Sequence, residues 1–154
     1  MIKIIFISTL VLSSFLSQIA YAENTEDVIK YRKNIMKAIG NHISIIAANL
    51  KGKVSISEDI LPHSKSILLT LSSINISKTF PENSGLNNSS NTKSLEKIWT
   101  EKDLFSNAMK ESVQKAENLV LAAESGDKKN IAKNLGALGK TCGSCHNKFR
   151  KKKN

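Results

Sequence analysis

Four stretches of this chain repeat apolar residues every three or four positions, a period that only a helix gathers onto one face. From Thr25 to about Leu50 the stripe is Val28, Met36, Ile39, Ile43, Ile46 and Leu50. Thr25 is the expected cap, Glu26 and Asp27 suit the positive end of the helix dipole, and Lys51-Gly52-Lys53 supplies the stop. Ser55 or Ser57 opens a second helix, with Glu58 completing a capping box from Ser55, and Ile60, Ile67, Leu71 and Ile74 form its inner face. Pro62 is tolerated only near the first turn, where a missing backbone N–H breaks no helical bond. Between Ser77 and about Lys97 the pattern dissolves into Pro81, Gly85 and the polar run Asn87 to Asn91, which reads as one long connection. Thr100 with Asp103 marks a third start, followed by Phe105, Ala108, Ser112, Ala116, Leu119 and Ala123, until Gly126 ends it. Asp127 caps a last helix whose stripe runs Ile131, Leu135, Leu138, Cys142, Cys145 or His146, and Phe149. Helices of these lengths, with two short connections and one long one, predict an all-α antiparallel four-helix bundle.

The last helix carries the chemistry. Cys142-Gly143-Ser144-Cys145-His146 is a CxxCH motif, the pattern of covalent haem c attachment. Three residues apart on a helix, both thiols share a face and can reach one porphyrin edge, while His146 can turn beneath the ring as proximal iron ligand. A structural disulfide is the first alternative, but so short a loop gains little stability, and redox CxxC pairs open a helix after a strand, a pattern missing before Cys142. Zinc held by Cys142, Cys145, His146 and a remote histidine is the second, and the adjacency of Cys145 and His146 argues against it.

Lys3, the largely apolar run from Ile4 to Phe15, and Ala20-Tyr21-Ala22 have the order of a cleaved secretory signal, which sets residues 1–22 as signal peptide and 23–154 as one domain. An uncleaved anchor is the rival, but Ser8, Ser13, Ser14 and Ser17 dilute a run already short for a bilayer. Export points to the periplasm. Residues 23–154 carry 22 basic and 13 acidic side chains, or +9, which two haem propionates would lower to about +7. No nucleic-acid motif accompanies that charge, and no grouping of acid, base and nucleophile around the CxxCH suggests turnover, so an enzyme is not expected.

In the commoner small c-type cytochromes the CxxCH lies near the N-terminus; here the order is reversed. Glu26-Asp27 with Lys30-Tyr31-Arg32, Lys51-Gly52-Lys53, Glu96-Lys97-Ile98-Trp99, Ser125-Gly126-Asp127, and Gly139-Lys140-Thr141-Cys142 through Phe149-Arg150 together resemble the class II c-type cytochromes, cytochrome c′ and its low-spin relatives, over residues 23–154. The resemblance implies one covalent haem c, thioether bonds from Cys142 and Cys145, and His146 as proximal ligand. It places Met36 on the distal side of the iron, Arg32 near the propionates and Arg150 beside the proximal imidazole. A ligated Met36 implies a low-spin electron carrier serving redox partner proteins; an unligated one implies a five-coordinate site for nitric oxide or carbon monoxide. Pairing of two copies through the first two helices is common in that family.

The remaining candidates have plainer expectations. Met109 lies off the inner stripe of the third helix, His42 is a surface or edge residue, His63 is solvated, and Trp99 packs at a loop junction. Arg150 to Lys153 is either a patch that steers an acidic redox partner or anionic membrane surface, or a frayed, solvated tail.

Overall fold

The computed structural model describes residues 24–152, and its four long helices follow the apolar stripes. Helix α1 (Thr25–Leu50) is capped one residue earlier than expected, because the Asn24 side chain accepts the Glu26 N–H at 3.1 Å, leaving Thr25 inside the first turn. It closes with Gly52 at φ 65°, the Lys53 N–H reaching Ala48 O and the Gly52 N–H reaching Asn49 O. Both bonds satisfy carbonyls that the helix end would otherwise leave free.

A 3₁₀ turn (Ser57–Asp59) leads into α2 (Ile60–Ser72). Neither Ser55 nor Ser57 caps it; Asp59 precedes it without a side-chain cap, and Pro62 is the third residue. Buried Asn49 does the anchoring from α1 instead, accepting the Ile56 N–H at 3.1 Å. The long connection contains two single turns, α3 (Ile76–Thr79) and α4 (Lys97–Thr100). Helix α5 (Lys102–Ser125) follows Glu101 rather than Thr100, which ends α4, and stops at Gly126 with φ 70°. Helix α6 (Lys128–Phe149) is capped by Asp127, which accepts the Lys129 N–H at 2.9 Å.

Helix α5 packs along both α2 and α6, and α1 packs along α2, which makes the antiparallel bundle. Ile39, Ile46, Ile67, Leu119, Ile131 and Leu138 form its main core. Burial of each such side chain contributes roughly 1.5–3 kcal/mol. Helices α1 and α6 meet far less closely, and a second core fills that end: Phe80, Ile98, Phe105, Met109 and Phe149. Phe105 stands edge-on to Phe80 and Phe149 at centroid distances of 4.9 and 5.2 Å. Thus α1 and α6 splay at one end, with an aromatic floor between them.

Candidate haem site

Cys142 and Cys145 sit on the α6 stripe, one turn after Leu138 and one before Phe149, so each side chain takes its position from a buried neighbour. Cys142 packs against the main core and Cys145 against the aromatic one. Burial pushes both thiols above their ordinary range, and for Cys145 the neighbouring Cys142 adds to it. His146 is displaced downward, by desolvation first and by the Arg150 charge second, which favours the neutral, ligating imidazole.

Between α1 and α6 lies a cavity of about 410 Å³, within the usual range for cofactor sites. Cys145 and His146 line one side, Met36 the other, and Phe80, Ile98, Phe105, Met109 and Phe149 complete an apolar interior. Five cations border it, Arg32, Lys33, Lys37, Lys93 and Arg150, with no acidic side chain among the lining residues. A flat apolar group carrying two carboxylates fits that arrangement: the interior is apolar, the border is positive, and Cys145 and His146 face it, with Cys142 one turn earlier on α6.

Met109 corrects the stripe expectation. It is 7% exposed and faces the cavity, because α5 turns its Phe105, Met109, Ser112 and Ala116 seam inward, leaving Ala108 only half-buried. The signal was present as a four-residue step from Phe105, which Ala108 obscured at a three-residue step.

Arg32 borders the cavity and is buried in the loop that covers it. Its guanidinium donates to Ser84 Oγ at 3.0 Å, Ser84 O at 2.8 Å, Thr92 Oγ1 at 2.9 Å and Thr79 O at 3.4 Å, and lies 4.8 Å over the Phe80 ring. Among the described residues no carboxylate pairs with it, and burial lowers its pKa to about 10 while leaving it charged at neutral pH. Trp99 fastens the same loop, donating to Phe80 O at 3.0 Å and packing so closely on Gly85 that an added Cβ would meet its ring at 2.7 Å. Trp99 packs at the loop junction as expected.

The tail departs from the frayed expectation as far as it is described. Ser94 and Arg150 form an antiparallel bridge, the Leu95 N–H reaches Phe149 O at 2.9 Å, and the Lys151 N–H reaches Lys93 O at 2.8 Å. Lys148 joins Glu101 at 2.7 Å, tying α6 to the start of α5. Arg150 and Lys93 are thereby held together at the cavity border. Lys153 lies outside the described residues, as do residues 1–22 of the expected signal peptide.

His42 and His63 are neither wholly surface nor solvated. Both are partly buried where α1 meets α2, their Nδ1 atoms 2.8 Å apart. Among the described residues no three His, Cys, Asp or Glu side chains converge.

The Cytochrome C′ family model matches residues 27–150, from the first turn of α1 to the residue after α6. The chain belongs to the cytochrome c′ family. It is 32% identical to the cytochrome c′ of Pararhodospirillum photometricum over 125 residues, covering 81% of this chain and 97% of that one. It is also 32% identical to the cytochrome c′ of Rhodospirillum rubrum over 132 residues, covering 86% and 87%. Cytochrome c prime from Shewanella frigidimarina superposes with a TM-score of 0.74 at 26% identity, covering 84% of this chain and 98% of that one. A variant cytochrome c prime from Alcaligenes xylosoxidans, solved as a nitric oxide complex, has the same fold, with a TM-score of 0.74 at 21% identity and coverage of 85% and 98%. Cytochromes c′ are haem proteins rather than enzymes, and the CxxCH of α6 brings this chain one covalent haem c.

Proposed function

We propose that this chain is a periplasmic electron carrier, with Cys142 and Cys145 forming the thioether bonds, His146 serving as proximal iron ligand and Met36 as distal ligand. One observation carries it: Met36 on α1 and His146 on α6 line a single apolar cavity bordered by cations. Haem c, when bound, supplies an iron centre that exchanges one electron between two oxidation states. Met36 offers a soft thioether, which favours the ferrous state and raises the potential. Phe80, Phe105 and Phe149 keep water from the interior and hold its shape in both states. Arg32 and Arg150 oppose the propionate charge. Lys93, Lys151 and Lys152 present positive charge beside the cavity border, suited to steering an acidic redox partner. Pairing of two copies through α1 and α2 belongs to the same proposal and is read by sedimentation.

The second reading, binding of nitric oxide or carbon monoxide at a five-coordinate iron, has support in the nitric oxide complex of the Alcaligenes protein. In it Met36 is an unligated apolar lid. Optical spectra of both oxidation states, with carbon monoxide added to the ferrous form, separate the two. A low-spin spectrum with a sulfur-to-iron band and slow uptake is the result expected of the carrier. A high-spin spectrum with rapid uptake would assign gas binding instead.

A further inference from the structure

The His42 and His63 pair lies apart from the haem cavity, and neither residue lines it. Each histidine occupies the same local frame: Ile39 and Ile46 flank His42 on α1, and Ile60 and Ile67 flank His63 on α2, at steps of three and four residues. All four isoleucines are buried, so each imidazole is carried on the inward edge of its helix and cannot swing freely into solvent. The antiparallel pairing of α1 and α2 then brings the rings to a centroid distance of 4.9 Å and the Nδ1 atoms to 2.8 Å.

With no metal, the two Nδ1 atoms share a hydrogen bond whose donor is set by the ring tautomers. The spacing also meets the demand of a metal. Two nitrogens, each about 2.0 Å from an ion, stand about 2.8 Å apart at a right angle and about 3.3 Å apart at the tetrahedral angle. Right-angled nitrogen ligation is the preference of Cu²⁺ and Ni²⁺, and imidazole affinity for divalent ions rises to its maximum at Cu²⁺. We propose that His42 and His63 form a two-imidazole Cu²⁺ site bridging α1 and α2, with water in the remaining positions. No third His, Cys, Asp or Glu converges there among the described residues, which sets the protein's share at two ligands. Both rings remain partly open to solvent, so a hydrated ion can enter without unfolding the bundle. Burial first, and the neighbouring ring second, hold His42 below the ordinary histidine range, keeping it neutral when an ion arrives. The site sits six residues beyond Met36, about 9 Å along α1, so it does not compete with the haem iron for ligands.

The test uses the haem-loaded protein titrated with Cu²⁺ alone after chelator treatment. One ion binds per chain, its paramagnetic resonance spectrum shows nitrogen ligation, and Zn²⁺ binds more weakly. His42→Gln and His63→Gln each lower Cu²⁺ affinity by at least about tenfold, the loss that even outer-shell partners of metal ligands cause. Equal Cu²⁺ affinity in the unmodified protein and the double variant would overturn the site, the latter controlling for the terminal amine. If either variant fails to fold, ring resonances of the unmodified protein decide: substoichiometric Cu²⁺ broadens His42 and His63 first, and broadening that begins elsewhere overturns the proposal.

Discussion

Arg32 on α1 holds Ser84 by both its side chain and its carbonyl, at 3.0 and 2.8 Å, across 52 residues of sequence. A buried cation is costly unless its donors are satisfied, and here neutral loop groups satisfy them. The loop is therefore shaped by α1 as much as by its own residues. Arg32→Ala leaves Ser84 O without the Arg32 donor and Thr92 Oγ1 with only the Ser94 N–H, and is expected to destabilise the protein by about 3 kcal/mol. Arg32→Lys retains charge without the fork and falls between the two, as thermal unfolding would report.

The denatured protein should exceed its polypeptide mass by one haem. Either Cys142→Ala or Cys145→Ala alone keeps haem attached through the remaining thioether, at reduced yield. The double variant keeps none after denaturation. Retained attachment in that variant would sink the thioether assignment.

Met36→Leu preserves volume, so its stability cost stays below about 1.5 kcal/mol while the sulfur is removed. Loss of the low-spin spectrum and gain of carbon monoxide binding are expected together. A spectrum identical to the unmodified protein's would show that Met36 does not ligate.

Glu101 is held below its ordinary carboxylate value of 4.5, chiefly by the Lys148 ammonium 2.7 Å away. A carboxyl whose folded pKa is depressed stabilises the fold above the unfolded value, and that stability disappears as pH falls through the folded one. Glu101→Gln should therefore unfold more easily than the unmodified protein at pH 7. The difference should shrink below about pH 4.5 and vanish in stronger acid, which a series of thermal melts would show.

Lys93 and Lys151 share a backbone bond at the cavity border, so their charges act from one place. Replacing both with Gln should slow reduction by an acidic partner and flatten its dependence on salt, because the steering field is screened within about 10 Å at 0.1 M salt. Unchanged rates and salt slope would remove the docking role.

The helix spans were legible because apolar periodicity is local: Ile39, Ile46, Ile67 and Leu138 repeat at helical steps and are buried. The Asp127 cap and the Gly126 stop were equally local. Caps failed where two polar residues competed, as Asn24 did with Thr25, since the winner depends on where the entering chain turns. Met109 was obscured by Ala108 because facing a cavity depends on how α5 rolls against α2 and α6, a property of three helices rather than one.

The sequence by itself determined the attachment chemistry and the helical architecture, since CxxCH and a 3.6-residue period are each complete within a few turns of chain. Only the tertiary structure decided that Met109 shares the haem cavity, that Arg32 is spent on the loop, that the tail is bridged to Ser94, and that His42 meets His63. Each of these contacts joins residues far apart along the chain. Their distances follow from how whole helices cross, which no single stretch of sequence encodes.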